Sequence, residues 1–346
     1  MSTTILAIES SCDDTSAAVI RDGVLLSNTI ASQKVHERYG GVVPELASRS
    51  HQQNIIPVVD DALKQANVSV DEIDAVGYTR GPGLLGSLLV GASFAKAFAL
   101  AKDCKLVEVN HLHGHVLANF IVSPETVGRE QAKFPFLCLL VSGGHTQIII
   151  VRDYTSMEII GTTIDDAAGE AFDKCAKIIG LPYPGGPHID RHAKIGNPNA
   201  FQFNKPQIPN LDYSFSGLKT SILYFLQKQV QENQNFIAEN IDDICASAQS
   251  TIISILLKKL ILASKQTGIK DVVIGGGVAA NSGLRDAITE TGKRLGWRTF
   301  LPELRYTTDN AAMIGLAAYH KYLAGEFSTQ NVAPRARYSL QEYFAK

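Results

Sequence analysis

The sequence predicts an α/β protein made of two similar halves. Three observations predict it. Apolar strand-like runs alternate with helical stretches along the 346 residues. A strand-turn-strand pattern occurs twice, at TILAIESSCDDTSAAVIRDG and at FPFLCLLVSGGHTQIIIVRDY. A buried-type strand running through three glycines into a helix, DVVIGGGVAANSGLRDAI, lies late in the second half.

Taken in order, the first hairpin is followed by an amphipathic helix around ELASRSHQQNIIPVVDDALKQA, a strand at DAVGYTR, and Gly81, Pro82 and Gly83 at the entrance of a long helix. That helix, LLGSLLVGASFAKAFALA, is the most membrane-like stretch, but Lys96 and its many small residues favour packing on a sheet. The run KLVEVN leads into NHLHGHVLANF. The polar segment SPETVGREQAK then lacks apolar periodicity and reads as a linker. The expected lobes are residues 1–122 and 134–309, with residues 310–346 as a segment that can pack back on the first. In the second half, DDICASAQSTIISILLKKLILASKQTG reads as a helix with a glycine stop. TTDNAAMIGLAAYHKYLAG reads as a helix capped by Thr308 or Asp309.

Composition narrows the class. With 45% hydrophobic and 19% charged residues the chain buries substantial cores. Its start has no basic and apolar leader pattern, and five scattered cysteines without a CxxC pair fit a reducing compartment. A cytoplasmic protein with no membrane partner is expected. A formal net charge of -2 gives no global footprint for nucleic acid, so any such contact is expected to be local or shared. Lys219, Arg335 and Arg337 are local candidates.

His111 and His115 are the strongest chemical clue. On a helix, four-residue spacing puts both imidazoles on one face, where they can share a metal ion. A polar N-terminal helical turn explains the spacing equally well, and His188 and His192 repeat the interval. Those two are read as surface or loop histidines. A helical zinc peptidase fits poorly, because no glutamate stands beside the first histidine as a general base.

Glycines supply the second clue. Ser142, Gly143 and Gly144 sit at a hairpin tip, where backbone amides can approach phosphate oxygens or simply form a β-turn. Gly275, Gly276 and Gly277 leave a strand and enter a helix, a geometry suited to an anion or nucleoside. Carboxylates at Asp165, Asp166, Glu170, Asp173 and Asp190 are a mixed set. Some can bind ribose hydroxyls, and most charges on such a helix face solvent.

The hairpin-opened halves and the glycine turns resemble the actin, Hsp70 and sugar-kinase superfold, with ribonuclease H-like lobes; this implies a nucleotide cleft between the lobes. A more specific resemblance covers nearly the whole chain. IESSCDDTSAAV, HLHGH, LLVSGGHTQII, GEAFDK, YPGGP, YSFSGLKT, GGGVAANS and YTTDNAAMIG are similar, in order and rough spacing, to the TsaD family of bacterial type. That family was formerly called the glycoproteases.

The resemblance implies transfer of a threonylcarbamoyl group from threonylcarbamoyl-AMP to N6 of the adenosine beside the anticodon, in tRNAs that read codons beginning with A. It implies one divalent metal, Fe(2+) or Zn(2+), on His111, His115 and Asp309. Substrate contacts are implied for Val141, Ser142, Gly143, Gly144, His145, Asp173, Gly186, Asp190, Gly276 and Asn281. Implied partners are tRNA, a TsaB-like paralogue and a TsaE-like ATPase. The catalytic base is not identified; Glu9 and Asp13 are candidates by location alone. Two rival functions remain: an ATP-dependent small-molecule kinase, which would need a carboxylate pair for magnesium, and a non-catalytic nucleotide-binding scaffold.

Overall fold

A computed structural model describes residues 2–345. The chain opens with an antiparallel meander of β1 (Thr4–Glu9), β2 (Thr15–Arg21) and β3 (Val24–Ala31), followed by α1 (Pro44–Ala66). Next come β4 (Ala75–Gly81), α2 (Leu85–Lys102), β5 (Lys105–Asn110) and the short α3 (His111–Leu117). A second meander follows, β6 (Phe136–Val141), β7 (Thr146–Asp153) and β8 (Ser156–Thr162), and then α4 (Ala168–Ile179) and α5 (Gly185–Ala193). The chain continues through α6 (Leu218–Glu232), α7 (Phe236–Thr267), β9 (Asp271–Gly275), α8 (Ser282–Leu295) and β10 (Arg298–Phe300). It closes with α9 (Ala311–Leu323) and α10 (Leu340–Phe344).

The strand order is β3-β2-β1-β4-β5 in one sheet and β10-β9-β6-β7-β8 in the other. Read from the meander edge, the second is β8-β7-β6-β9-β10, the same arrangement as the first. The fold is therefore a duplicated α/β architecture. Parallel strands need a crossover, and helices supply it: α1 between β3 and β4, and α2 between β4 and β5.

Two compact units result. One comprises residues 1–131, 152–157 and 302–346; the other comprises residues 132–151 and 158–301. The division differs from the sequence-based one at residues 152–157, the β7–β8 turn, and at residues 302–309, which lead into α9; both group with the first unit, where α9 packs on β1, β2 and β4. All three candidate metal ligands consequently lie in a single unit.

In the first unit every residue of β1 is buried, because α1 packs across the meander and α9 also lies on the sheet. That explains a continuous apolar run where a half-exposed strand would alternate. Leu6, Ile8, Val19, Val76 and Tyr78 form part of this core, each such aliphatic side chain contributing roughly 1.5–3 kcal/mol on burial. The core of the second unit joins Leu137, Leu139 and Ile148 to Phe172, Ile252, Leu256 and Ile274. Two helices are long and apolar enough to cross a membrane by composition, α2 and α7. Packing accounts for both: α2 lies on α1 and β4, and α7 is mostly buried in the second core.

Candidate metal centre and glycine loops

Strands β1, β4 and β5 run parallel, so their carboxyl ends gather on one edge. Ligand chemistry in open α/β sheets concentrates there. Each of these strands ends in a polar group: Glu9 on β1, Thr79 near the end of β4, and Asn110 on β5, directly before His111.

Asn110 starts the helix. Its Oδ1 accepts from the amides of Leu112 at 2.9 Å and His113 at 3.4 Å, satisfying two donors that a helix start leaves unpaired. The following turn stacks His111 and His115, whose rings meet edge to face with centroids 4.6 Å apart. Their Nε2 atoms are 3.1 Å apart. Asp309 Oδ1 lies 3.2 Å from His115 Nε2 and 3.4 Å from His111 Nε2. Ligands held about 2.0–2.1 Å from a tetrahedral ion are about 3.3 Å from one another. The three donor atoms therefore already stand at the edge lengths of a coordination polyhedron, and the donor set of two imidazoles and one carboxylate suits a divalent transition metal.

The cluster is closed on one side and open on the other. His115 is 1% exposed, His111 12% and Asp309 25%, so an additional ligand would enter beside Asp309. Behind His111, Glu9 is completely buried, with Oε2 3.1 Å from Nδ1. The Thr79 hydroxyl donates to the same oxygen at 2.6 Å, and the Ser11 amide donates to Oε1. Ser11 Oγ also lies 3.1 Å from His111 Nδ1. An ionised Glu9 keeps the imidazole proton on Nδ1 and leaves the Nε2 lone pair facing His115 and Asp309, the usual outer support of a metal-bound histidine. Nδ1 of His115 has no such support: it is buried without a partner among the described residues.

Without a metal the same groups favour a proton on His111, which a bound cation would displace from Nε2. Burial alone would raise the Asp309 carboxyl, but the His111 charge and hydrogen bonds from both histidines outweigh it and hold the group far below the carboxylate range. Burial would also raise Glu9, and His111 reverses the sign. For His111, burial opposes the charged form, yet Asp309 and Glu9 raise it well above an ordinary histidine. His115 is lowered, because burial outweighs its bond to Asp309. Nearby, burial pushes Asp14 up to about 6.

The helix after Asp309 departs from expectation. Its cap is Asn310, whose side chain accepts from the Met313 amide at 3.0 Å, not Thr308 or Asp309. The shift by one residue frees the Asp309 carboxylate to face the histidines.

In the second unit the equivalent strand ends carry backbone in place of side chains. At the β6–β7 tip the Ser142 amide donates to the His145 carbonyl at 2.8 Å, and the His145 amide donates to Ser142 Oγ at 3.1 Å. Gly143 and Gly144 are exposed, and a Cβ on either would meet nothing within 4 Å. Val141 is fully buried, so only its backbone can face a ligand. Gly276 has φ +88°, and a Cβ there would lie 2.4 Å from the Val141 carbonyl oxygen. At Gly169, in the first turn of α4, a Cβ would lie 2.7 Å from the Ser142 carbonyl oxygen. Both glycines are required by close backbone approach, and together they draw the α4 start and the β9 exit onto the hairpin tip.

The remaining candidates stand around these loops. Asp173 accepts from the Gly185 amide at 2.7 Å. Burial raises its carboxyl against the bonds from Gly185 and Gly186. Asp190 accepts from the Ser282 amide at 3.1 Å and hydroxyl at 2.8 Å. Asn281 is engaged at both ends of its amide: Oδ1 caps α8 through the Leu284 amide at 2.9 Å, and Nδ2 donates to Gln249 at 2.6 Å. Asp165, Asp166 and Glu170 serve the scaffold. Asp165 accepts from the Phe215 amide at 2.8 Å, and Lys174 pairs with Asp166 at 2.6 Å and Glu170 at 3.0 Å. His188 and His192 are half-buried on α5, not in a loop, and His192 pairs with Asp242 at 2.7 Å. Sequence reasoning missed Ser11, Thr79 and Asn110. Their signal is a polar residue at or just past the carboxyl end of an apolar parallel strand.

A family model described as TsaD, tRNA N6-adenosine threonylcarbamoyltransferase, matches residues 24–316. The chain belongs to the TsaD family. Among TsaD relatives, the tRNA N6-adenosine threonylcarbamoyltransferase of Riemerella anatipestifer is 58% identical over 336 residues, 97% of this chain and 98% of its own. That of Porphyromonas gingivalis (strain ATCC BAA-308 / W83) is 58% identical over the same coverage of 97% and 98%. Two solved structures are similar to this TsaD-family chain in fold alone. Component A of the Acidaminococcus fermentans (R)-2-hydroxyglutaryl-CoA dehydratase has TM-score 0.51 at 16% identity, over 93% of this chain and 99% of that one. Full-length HypF in its phosphate- and nucleotide-bound form has TM-score 0.58 at 14% identity, over 94% of this chain and 47% of that one.

Proposed function

We propose that this protein transfers the threonylcarbamoyl group of threonylcarbamoyl-AMP to N6 of the adenosine beside the anticodon of tRNA. The observation that carries the reading is the coincidence of family membership with a His111, His115 and Asp309 cluster, partly open to solvent, at coordination distances. The kinase and scaffold readings are not favoured by the matched relatives.

In the reaction, the adenosine amine attacks the carbamoyl carbon, the bond from that carbon to the phosphate oxygen breaks, AMP leaves with the electron pair, and the amine gives up one proton to solvent. Fe(2+) or Zn(2+) held by His111, His115 and Asp309 would supply Lewis-acid polarisation of the carbamoyl carbonyl. Glu9 keeps His111 in the tautomer that presents Nε2. Glu9 is completely buried behind His111 and bonded to Ser11, Thr79 and His111, so in this reading it acts as an orienting group. The amides of Gly143 and Gly144 face the departing phosphate, where fixed donors stabilise developing charge without reorganising. Asp173 and Asp190 receive the ribose, and Gly186 leaves room for it. The Gly275 to Gly277 backbone lies along the adenine, with Asn281 holding that loop in place and His145 closing the tip.

Five cysteines without disulfides support a cytoplasmic setting. Exposed apolar Ile56, Leu85 and Leu89 on α1 and α2 support a protein partner such as a TsaB-like paralogue, with a TsaE-like ATPase acting on the assembly. Exposed Lys219, Arg335 and Arg337 are the local cations offered to tRNA phosphates.

Incubating the chain and its partners with threonylcarbamoyl-AMP and unmodified tRNA tests the proposal. Threonylcarbamoyladenosine should appear in nuclease digests of the tRNA. Its absence, with ATP consumed and a small molecule phosphorylated instead, would replace the transferase with the kinase.

A further inference from the structure

Helix α3 is seven residues long, too short to hold its shape unaided, yet it must keep two imidazoles within tenths of an ångström of a fixed geometry. Its support comes from the far end of the chain. While Asn110 Oδ1 caps the helix, Asn110 Nδ2 donates to the Tyr338 carbonyl at 2.9 Å. His113 projects from the face opposite His111 and His115 and is fully buried. Its Nε2 lies 2.7 Å from the Tyr154 carbonyl oxygen. Its ring packs against Phe344 at 5.2 Å and Tyr343 at 5.6 Å between centroids.

Tyr343 is in turn fixed to the strand that launches the helix. Lys321 Nζ donates to the Tyr343 hydroxyl at 2.8 Å and to the Glu108 carbonyl at 2.9 Å, and stands 4.6 Å over the Tyr343 ring. Glu108 lies on β5, two residues before Asn110. Lys321 is only 4% exposed, so this tie is shielded from solvent. A small cavity bordered by Thr155, Lys321, Glu326, Tyr343 and Phe344 marks where α10 is seated without filling the space completely.

We propose that the C-terminal segment Tyr338–Phe344 is a positioning element for the metal centre. Tyr343 and Phe344 against His113, and the Tyr338 carbonyl on Asn110, set the orientation in which α3 presents His111 and His115. The inference rests on the metal reading given under Proposed function. It assigns a role to residues that touch neither metal nor substrate, as outer supports of metal sites do.

The test uses the full chain carrying Tyr343→Ala, with Tyr343→Phe as the conservative control. Zinc affinity is measured by chelator competition, and amide hydrogen exchange across α3 is followed in the metal-free protein. Tyr343→Ala should weaken zinc binding about tenfold and speed α3 exchange while far-UV circular dichroism is unchanged. Tyr343→Phe, which keeps the ring on His113, should recover most of the affinity. A folded Tyr343→Ala chain with wild-type zinc affinity overturns the proposal, as does unchanged α3 protection. If Tyr343→Ala fails to fold, Phe344→Ala, at a half-buried position near the chain end, is judged by the same two readings. His111→Ala separates the two ideas. Wild-type zinc affinity in that variant would remove the metal centre, and the metal-free exchange data would still decide whether α10 braces α3.

Discussion

The two units share one strand order but build opposite chemistry on it. Where β1 ends, the first unit places a buried carboxylate, Glu9, behind a histidine, and gathers side-chain donors fit for a cation. Where β6 ends, the second unit places exposed Gly143 and Gly144 and brings Gly276 and Gly169 close to the same backbone, the kind of main-chain turn that the proposed function uses for a phosphate. A duplicated sheet thus supplies equivalent strand ends in both units, and the residues that follow differ, polar side chains in one and glycine backbone in the other. Side chains reach across distances in the first unit. In the second unit their removal lets main chains approach.

The largest expected effect breaks the cationic half. His111→Ala or Asp309→Ala should lower metal retention by more than about a hundredfold, beyond the range of outer-support changes, with the melting curve of the metal-free chain little altered; elemental analysis after dialysis reads it. Next come two glycine substitutions that sharpen the anionic half. Gly276→Val places a Cβ against the Val141 carbonyl at positive φ and should cost stability by about 1–3 kcal/mol, seen in denaturant titration. Gly144→Val meets open space, so it should leave stability unchanged and weaken AMP binding in calorimetry. Equal loss of stability in both would remove the distinction between a packing glycine and a ligand-facing one.

Glu9→Gln keeps the shape but not the charge behind His111. It should weaken metal binding by about ten- to a hundredfold without touching AMP affinity. A change in AMP affinity instead would join the two halves that the comparison separates.

The smallest effect concerns acid stability. His320, stacked on Tyr154 with ring centroids 3.5 Å apart, is pushed by burial from 6.5 down to about 4. Its folded value lies below the unfolded one, so from about pH 6.5 downward the unfolded chain takes up a proton that the folded chain refuses until about pH 4. Stability present above that window is lost through it. His320→Phe should flatten the fall in melting temperature between pH 6.5 and 4.

Much of this was legible in the sequence because it is local. Both hairpins, the helix carrying His111 and His115, and the strand-to-glycine exit at Gly275 follow from periodicity and turn residues within short windows. The strand order did not follow, since pairing β1 with β4 and β6 with β9 is a tertiary choice. Asp309 was reached only through the family resemblance, being 194 residues from His115. Its neighbour Asn310 competes for the helix cap, and local rules admit either residue; contact with the histidines decides between them. Glu9 read as a candidate base by location alone, because its partner His111 is 102 residues away. Asn281 read as a ligand contact through the resemblance alone, and its bonds to Gln249 and the Leu284 amide, which also fix the loop, join residues too far apart or too unremarkable for local rules to pair.

The most direct measurement is threonylcarbamoyl transfer to tRNA by the chain with its partners, after chelation to a metal content verified as nil and again after adding back one equivalent of divalent ion. The account expects transfer to vanish and then return, with AMP bound equally well in both states. Undiminished transfer by the verified metal-free protein would contradict it.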